Sequence, residues 1–274
     1  MSGLLRIEWI KARHYSSFRV FIILHFVLFL LVLYAGSRVD ISMPGFSTRK
    51  VFEFPYVWQS FSWLAGTGFF NLLLAIPMIV LTGNEYAFGT FRQQVFTGLD
   101  RTGLFTGKMI LMLILAGYGF MLVVFSSLFS GLIFTPQVTL SNVLDQSWYA
   151  LLYFVKACAV LLFGYLMAVI FRNNALAIVL FLLYFVLIEP VLRLFFPPEA
   201  RLYFPARIIS HLTPTPEFLS ITSQGNESLA NSFDLGSLGL MKQDLSLQLN
   251  FVISLGYMAL FAAASFFSLR RRDL

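Results

Sequence analysis

Six stretches of about twenty mostly apolar residues constrain the fold of this chain more than any other feature. A helix needs ~20 such residues to cross the ~30 Å hydrocarbon core of a bilayer. Backbone polar groups inside that core must be bonded within the protein, so each stretch is predicted to be a helix. The stretches cover residues 18–36, 61–81, 109–134, 149–171, 175–196 and 249–269. The predicted fold class is therefore all-α, an integral membrane protein with six transmembrane helices.

The overall composition agrees with this interpretation and excludes an ordinary soluble domain. Hydrophobic residues make up 58% of the chain and charged residues only 12%, whereas about a quarter of the residues in a soluble domain are charged. We therefore expect one transmembrane domain over residues 1–274. Its parts outside the spans are an N-terminal interfacial segment (1–17), a loop between spans two and three (83–108) and a loop between spans five and six (197–248).

The distribution of positive charge predicts the orientation of the spans. Segments on the side of the termini hold eleven Lys or Arg against four Asp or Glu, and segments on the other side hold seven against eight. Cytoplasmic loops are enriched in Lys and Arg, so both termini are expected in the cytosol. The expected location is the plasma membrane, the inner membrane of a bacterium. The basic residues do not cluster on a soluble face, which argues against a nucleic-acid partner.

The loop 83–108 is the longest polar connection predicted on the cytosolic side. Phe88, Phe91 and Val95 recur at helical spacing, while Glu85 and Arg92 lie mostly off that stripe, so a short amphipathic helix is predicted. Such a helix suits a docking surface for a soluble partner, and it equally suits an ordinary helix at the membrane interface. The spacing alone leaves both interpretations open.

Two residues are expected to delimit this helix. Gly98 would end it, because glycine readily adopts the left-handed conformation at a helix C-terminus. Asp100 would cap whatever follows, because its carboxylate can accept hydrogen bonds from a helix N-terminus.

Several kinds of catalytic site are not visible in the sequence. The three histidines, His14, His25 and His211, are scattered, and Cys158 is the only cysteine, so no metal cluster is predicted. Residues 103–109 superficially resemble a phosphate-binding loop, but its first glycine is out of register and Met109 replaces the required Ser or Thr. We therefore expect no cofactor in this chain, no hydrolysis of ATP by it and no enzymatic activity of its own.

The polar loop does carry a spaced motif, Glu-x3-Gly-Thr-x-Arg-x5-Gly-x2-Arg-x6-Lys, from Glu85 to Lys108. The motif resembles the cytoplasmic signature of ABC-2 type transporter permeases, which are membrane subunits that dock on a separate ATP-binding-cassette ATPase. Residues 5–11 are similar to the amphipathic N-terminal stretch of that family, and the six-span plan also matches. The resemblance covers the layout of the whole chain but only about thirty-five residues in motif.

The resemblance implies a cytosolic coupling helix between spans two and three and short outer helices between spans five and six. It also implies two copies of an ATPase subunit, which would bind ATP and Mg²⁺, and a second permease copy or a paralogue. For Arg101 and Lys108 a simpler role, binding lipid headgroups, stays open. The residues that the resemblance assigns to ATPase docking are Glu85, Phe88, Gly89, Thr90, Phe91, Arg92, Val95, Gly98 and Arg101.

Two charged residues fall inside predicted spans. Lys156 and Glu189 lie at similar depth on consecutive spans, and intramembrane charges are costly unless paired. We expect an ion pair between them. In the alternatives, Lys156 extends its ammonium outward to water, and Glu189 pairs with Arg193. Pro190 is expected to kink the fifth span.

The leading functional hypothesis is the membrane subunit of an ATP-driven exporter that works as a dimer in the lipid bilayer. The otherwise uncharged, Phe-rich spans favour an amphipathic or hydrophobic substrate over a hydrated ion. The alternatives are a secondary transporter or channel that needs no ATPase, and a membrane-embedded enzyme. The enzyme is disfavoured because no convergent set of catalytic side chains is visible.

Overall fold

The computed structural model describes residues 2–39, 42–43, 46–96, 98–216 and 245–271. Over these residues the chain is almost entirely helical, with one short antiparallel pair of two-residue strands, β1 (Ser42–Met43) and β2 (Phe46–Ser47). A 3₁₀ turn covers Thr48–Phe52, and a π-helical turn covers Tyr184–Ile188. The α-helices are α1 Ser2–His14, α2 Ser16–Ser37, α3 Tyr56–Ala65, α4 Gly68–Ala87, α5 Thr90–Phe96, α6 Arg101–Phe134, α7 Leu140–Leu144, α8 Trp148–Phe171, α9 Asn174–Leu183, α10 Glu189–Leu194, α11 Pro198–Arg201, α12 Pro205–Ser210 and α13 Leu247–Arg271.

Six helical segments in the described part of the chain are long and apolar enough to cross a bilayer, which confirms the six predicted spans. They are α2, α4, α6, α8 with the short α7 before it, α9 continued through the π turn into α10, and α13. Helix α8 lies at the centre, where it packs against α3, α4, α6, α9 and α13. Most of its side chains are buried, so the middle of one bundle is filled.

The second span differs from the prediction of residues 61–81. The chain forms two helices there, α3 and α4, and the spanning one is α4. The break falls at Gly66, where an added Cβ would lie 2.5 Å from Thr213 Oγ1 and 2.9 Å from the Ser62 carbonyl oxygen. Helix α3 is instead a buried element, because Val57, Phe61 and Ala65 pack within the core.

The third span is longer than the predicted 109–134. Helix α6 begins at Arg101, and Asp100 caps it as predicted, since its side chain accepts a 2.9 Å hydrogen bond from the Gly103 N–H. Its 34 residues extend for about 51 Å at ~1.5 Å per residue. That exceeds the ~30 Å hydrocarbon core, so α6 either tilts in the bilayer or extends beyond it.

The fifth span is irregular beside Pro190. The π-helical turn Tyr184–Ile188 joins α9 to α10, in which Pro190 occupies the first turn. Proline lacks the N–H that a continuous α-helix would use there. Beyond this span the two short helices α11 and α12 follow, and the remainder of the predicted outer loop, residues 217–244, lies outside the described residues.

Candidate functional site

The first helix, the polar loop and the last helix meet at one end of the bundle. Leu269 near the end of α13 packs with Phe91 of α5 and Leu104 of α6 in a small apolar cluster. The Arg101 guanidinium donates to the carbonyl oxygen of Arg270, a favourable arrangement because it places a cation at a helix C-terminus. This end therefore holds the loop whose motif the sequence singled out.

Four charged side chains bind one another at this end in a closed network. The Lys108 ammonium lies 2.7 Å from Glu8 Oε2 and 2.8 Å from Glu85 Oε1. The Lys11 ammonium lies 2.7 Å from Glu85 Oε1 and 3.0 Å from Glu8 Oε1. Two cations and two carboxylates therefore alternate around the network and join α1, α4 and α6. We call these four residues the ionic network.

Three members of the ionic network are buried, and the fourth, Lys11, keeps 20% of its side-chain surface exposed. The relative exposure is 1% for Lys108 and 2% for Glu85. Burial alone would raise the pKa of the Glu8 carboxyl, but the neighbouring ammonium groups of Lys108 and Lys11 outweigh it and hold that pKa below its usual value. The two positive and two negative charges cancel, so the four side chains can be buried together. Removal of one member would leave an uncompensated buried charge.

Helix α5 is fixed to the ionic network through Phe91, whose side chain is 1% exposed. The Phe91 ring lies 4.7 Å from the Tyr86 ring, centroid to centroid, and 5.8 Å from the Lys108 ammonium. The helix is bracketed by two glycines with positive φ, Gly89 at 64° and Gly98 at 95°, a conformation that favours glycine. The predicted end of the helix at Gly98 is confirmed.

The predicted apolar stripe of Phe88, Phe91 and Val95 is wrong as a single exposed face. Phe88 is the C-cap residue of α4 rather than part of α5, and 66% of its surface is exposed. Phe91 points inward, whereas Val95 is 36% exposed. The sequence analysis missed Phe96, which is 88% exposed. It could have been recognised because it lies four residues after Arg92, on the same face of a helix.

The other predicted docking residues divide between the interior and the surface. Glu85 is buried in the ionic network, Gly89 and Thr90 are half-buried, and Arg92 and Gly98 are exposed. The Thr90 hydroxyl donates to the carbonyl oxygen of Glu85 at 3.3 Å. We call the exposed side chains of Phe88, just before α5, and of Arg92, Val95 and Phe96 on α5 the α5 face.

The role of Lys108 as a lipid-headgroup cation is wrong, because its ammonium is enclosed by Glu8 and Glu85. Arg101 is half-buried and binds the end of α13. The sequence analysis did not identify Glu8 as a partner of Lys108, or Lys11 as a partner of Glu85. The only signal was the N-terminal stretch 5–11, which contains Glu8 and Lys11.

At the other end of the bundle, the predicted ion pair between Lys156 and Glu189 is not formed. The Lys156 ammonium donates to the Ser210 carbonyl oxygen and to Thr213 Oγ1, both at 2.8 Å. The Glu189 carboxylate accepts hydrogen bonds from the backbone N–H groups of Ala206 at 2.7 Å and Arg207 at 2.8 Å. Each charge therefore has its own partners.

Both charges bind the ends of the same short helix, α12. Glu189 binds N–H groups in the first turn of α12, and Lys156 binds the carbonyl oxygen of its last residue, which are the signs that the helix dipole favours. Lys156 is 5% exposed and Glu189 is fully buried, so the alternative in which Lys156 extends to water is also wrong. The two intramembrane charges hold α12 inside the bundle.

The sequence matches one known protein family. A family model described as ABC-2 family transporter protein matches residues 4–188, a range that contains the whole ionic network and α5. No curated protein matches the chain. Among the residues that the structure describes, no group of three or more His, Cys, Asp or Glu side chains is placed to hold a metal ion.

Proposed function

Because the chain belongs to the ABC-2 family of transporter membrane proteins, we propose that it is the membrane subunit of an ATP-driven exporter. Membrane proteins of this family are transport components rather than catalysts, and they work with an ATP-binding-cassette ATPase. In the proposed complex, two ATPase subunits bind ATP and Mg²⁺, and two membrane subunits form the pathway in the plasma membrane. The termini and α5 lie in the cytosol, as the charge asymmetry of the sequence favours.

The observation that best supports this proposal is the α5 face, an exposed apolar and cationic surface on a rigid base. Phe88 and Phe96 are mostly exposed at the end of the bundle where α6 begins. Large exposed apolar side chains outside the membrane are a feature of protein interfaces. An aromatic pair with a neighbouring Arg is also the composition found at the energetic centre of such interfaces.

The ionic network gives the α5 face its mechanical connection to the spans. The Phe91 ring of α5 lies next to the Lys108 ammonium of α6. Lys108 in turn binds Glu8 of α1 and Glu85 of α4. A displacement of α5 by a docked ATPase would therefore move α1, α4 and α6 together. Three elements that move as one body are what coupling to a distant pathway requires.

The filled centre of the bundle supports a pair of membrane subunits. Tyr153, Ala157, Leu161 and Tyr165 of α8 are each 0% exposed, so one chain leaves no pathway along its axis. A pathway between two copies, or between this chain and a paralogue, has no such obstruction. The scarcity of charges on the spans suits an amphipathic or hydrophobic substrate.

Copurification of the ATPase in mild detergent tests the proposal. We expect Phe96→Asp and Arg92→Glu to release the ATPase, and Phe96→Asp to leave the melting temperature of the membrane subunit unchanged because its side chain is 88% exposed. The matched control is Leu140→Asp, at a residue that is 75% exposed at the start of α7. Retention of the ATPase by both α5 variants would refute the docking site. Vesicle transport that needs neither nucleotide nor ATPase would refute the exporter.

A further inference from the structure

An apolar groove runs along the surface of the bundle between α2 and α6. Its volume is about 650 Å³, which is within the ~300–1,000 Å³ range of small-molecule sites. The walls include Leu30 and Leu33 from α2 and Phe129 from α6, and Phe52 of the 3₁₀ turn lies at one end. The groove is at the opposite end of α2 from α1 and the ionic network.

The length of the groove matches one leaflet of a bilayer. The α2 wall extends from Phe26 to Ser37, a distance of about 16 Å at ~1.5 Å per residue. One leaflet contributes about half of the ~30 Å hydrocarbon core. An extended acyl chain in one leaflet would therefore lie in the groove along its whole length.

The inside of the groove offers little to a polar ligand. The Ser126 hydroxyl donates to the carbonyl oxygens of Leu122 at 2.7 Å and Val123 at 3.0 Å, so its own helix satisfies it. A ligand that filled the groove would be stabilised by covering the apolar walls and packing against them. A hydrocarbon chain is the chemistry that fits these walls.

One cationic side chain lies at the mouth of the groove, and another belongs to the 3₁₀ turn next to it. Arg38 donates to the Tyr34 hydroxyl at 3.1 Å, and its guanidinium lies 5.0 Å from the centroid of the Tyr34 ring, which itself lines the groove. The Thr48 hydroxyl donates to the Val39 carbonyl oxygen at 2.7 Å, so the 3₁₀ turn is attached beside Arg38. That turn contains Lys50, two residues before the groove residue Phe52.

The charge at the mouth is positive on balance. Arg49 is partly offset by Glu53, whose carboxylate lies 3.7 Å from its guanidinium. Counted in the sequence alone, residues 38–53 hold three Arg or Lys and two Asp or Glu. Cations next to a span on the side away from the cytosol are disfavoured by the usual charge bias. Their presence beside a leaflet-length apolar groove calls for an anionic group at the headgroup level.

We propose that this groove binds an anionic phospholipid, with one acyl chain between α2 and α6 and the phosphate at Arg38 and Lys50. The bound lipid fills the seam between the two helices in that leaflet. The site is separate from the α5 face, so it does not depend on ATPase docking.

Lipid retention measured by native mass spectrometry tests this site. The full chain is reconstituted in vesicles of phosphatidylglycerol and phosphatidylcholine in equal parts and extracted in mild detergent. We expect phosphatidylglycerol to be retained preferentially. Arg38→Gln and Lys50→Gln should each lower the ratio of the two retained lipids about fivefold, the factor that one basic side chain near an anionic surface provides. Arg19→Gln, at the other end of α2, is the matched control and should leave the ratio unchanged.

A second pair of variants tests the groove itself. Leu33→Trp fills it and should abolish retention of both lipids, whereas Leu31→Trp, on the same helix at a residue that is 56% exposed and does not line the groove, should retain them. Equal retention of the two lipids by the unmodified chain would overturn the proposal, as would an unchanged ratio in both cation variants. Disulfide-linked dimers of Phe129→Cys in a Cys158→Ala background would also overturn it, because a second copy would then cover the groove.

Discussion

Lys108 is the residue on which the geometry of the end with α1 and α5 most depends. Its ammonium is 1% exposed and lies between two carboxylates from different helices. A buried charge is tolerated only where its partners are in place. We therefore regard Lys108 as the centre of the ionic network rather than as a surface cation.

Removing Lys108 alone should be more damaging than removing it together with a partner. Lys108→Met leaves two buried carboxylates with only Lys11, and we expect it to lower the free energy of unfolding by roughly 3–5 kcal/mol. Lys108→Met combined with Glu8→Gln should recover part of that loss. A double-mutant cycle on thermal unfolding in detergent measures the coupling. Arg19→Met, at an exposed residue, is the control, and a coupling of zero would contradict the network.

The sequence predicted which residues are unusual better than it predicted their partners. The motif identified Glu85 and Lys108, but Lys11 lies 74 residues from Glu85 along the chain, so no local spacing could connect them. Lys156 and Glu189 were recognised as intramembrane charges and were then paired by depth alone. Their actual partners are backbone groups and one hydroxyl in and just after α12, and backbone groups have no signature in a sequence.

At the scale of single elements, α12 shows how a very short helix is held in place. Its six residues are too few to be stable alone, because helix nucleation is costly. Ala206, Ile208 and Ile209 are buried, and Glu189 and Lys156 satisfy polar groups at its two ends. Packing and two charge-assisted hydrogen-bond sets thus define an element that its own sequence would not.

Lys156→Met separates this arrangement from the alternative in which the ammonium reaches water. The variant would leave the Ser210 carbonyl oxygen without its donor, and an unsatisfied buried group costs about 1–3 kcal/mol. We expect a lower melting temperature in detergent, with Arg19→Met again as the exposed control. An unchanged melting temperature would show that Lys156 does not hold α12.

The helices whose bounds the sequence predicted least well lie in long, uninterrupted apolar stretches. Residues 56–87 contain both α3 and α4, and a hydropathy window that slides over them finds one span in the wrong place. The break depends on the close approach of Thr213 to Gly66, a contact between segments about 150 residues apart. Caps, in contrast, are local, and the predictions at Gly98 and Asp100 were correct.

For the whole molecule, the number of spans was predictable because bilayer thickness fixes the length of each apolar stretch. The position of α8 at the centre was not predictable, since every span is similarly apolar and helix packing in a membrane depends on shape rather than hydropathy. The elements at the two ends of the bundle are distinct. α1, α5 and the end of α13 lie together, while the α6–α7 connection follows the far end of α6.

Labelling of single cysteines with an impermeant thiol reagent tests the orientation of the whole bundle. In a Cys158→Ala background, Leu140→Cys should react in intact cells and Phe96→Cys only after permeabilisation. Both residues are strongly exposed, at 75% and 88%, so access depends on the side of the membrane. The reverse pattern would place the α5 face outside and exclude a cytosolic ATPase as its partner.

The uninterrupted course of α6 has a further consequence. One helix of 34 residues connects the buried Lys108 to Phe134, next to the groove mouth, without a proline or a break. It therefore acts as a lever arm, and each degree of tilt about its Arg101 end displaces the other end by about 0.9 Å over its ~51 Å length. A tilt of about 3° would therefore change the width of the seam against α2 by up to about 2.7 Å.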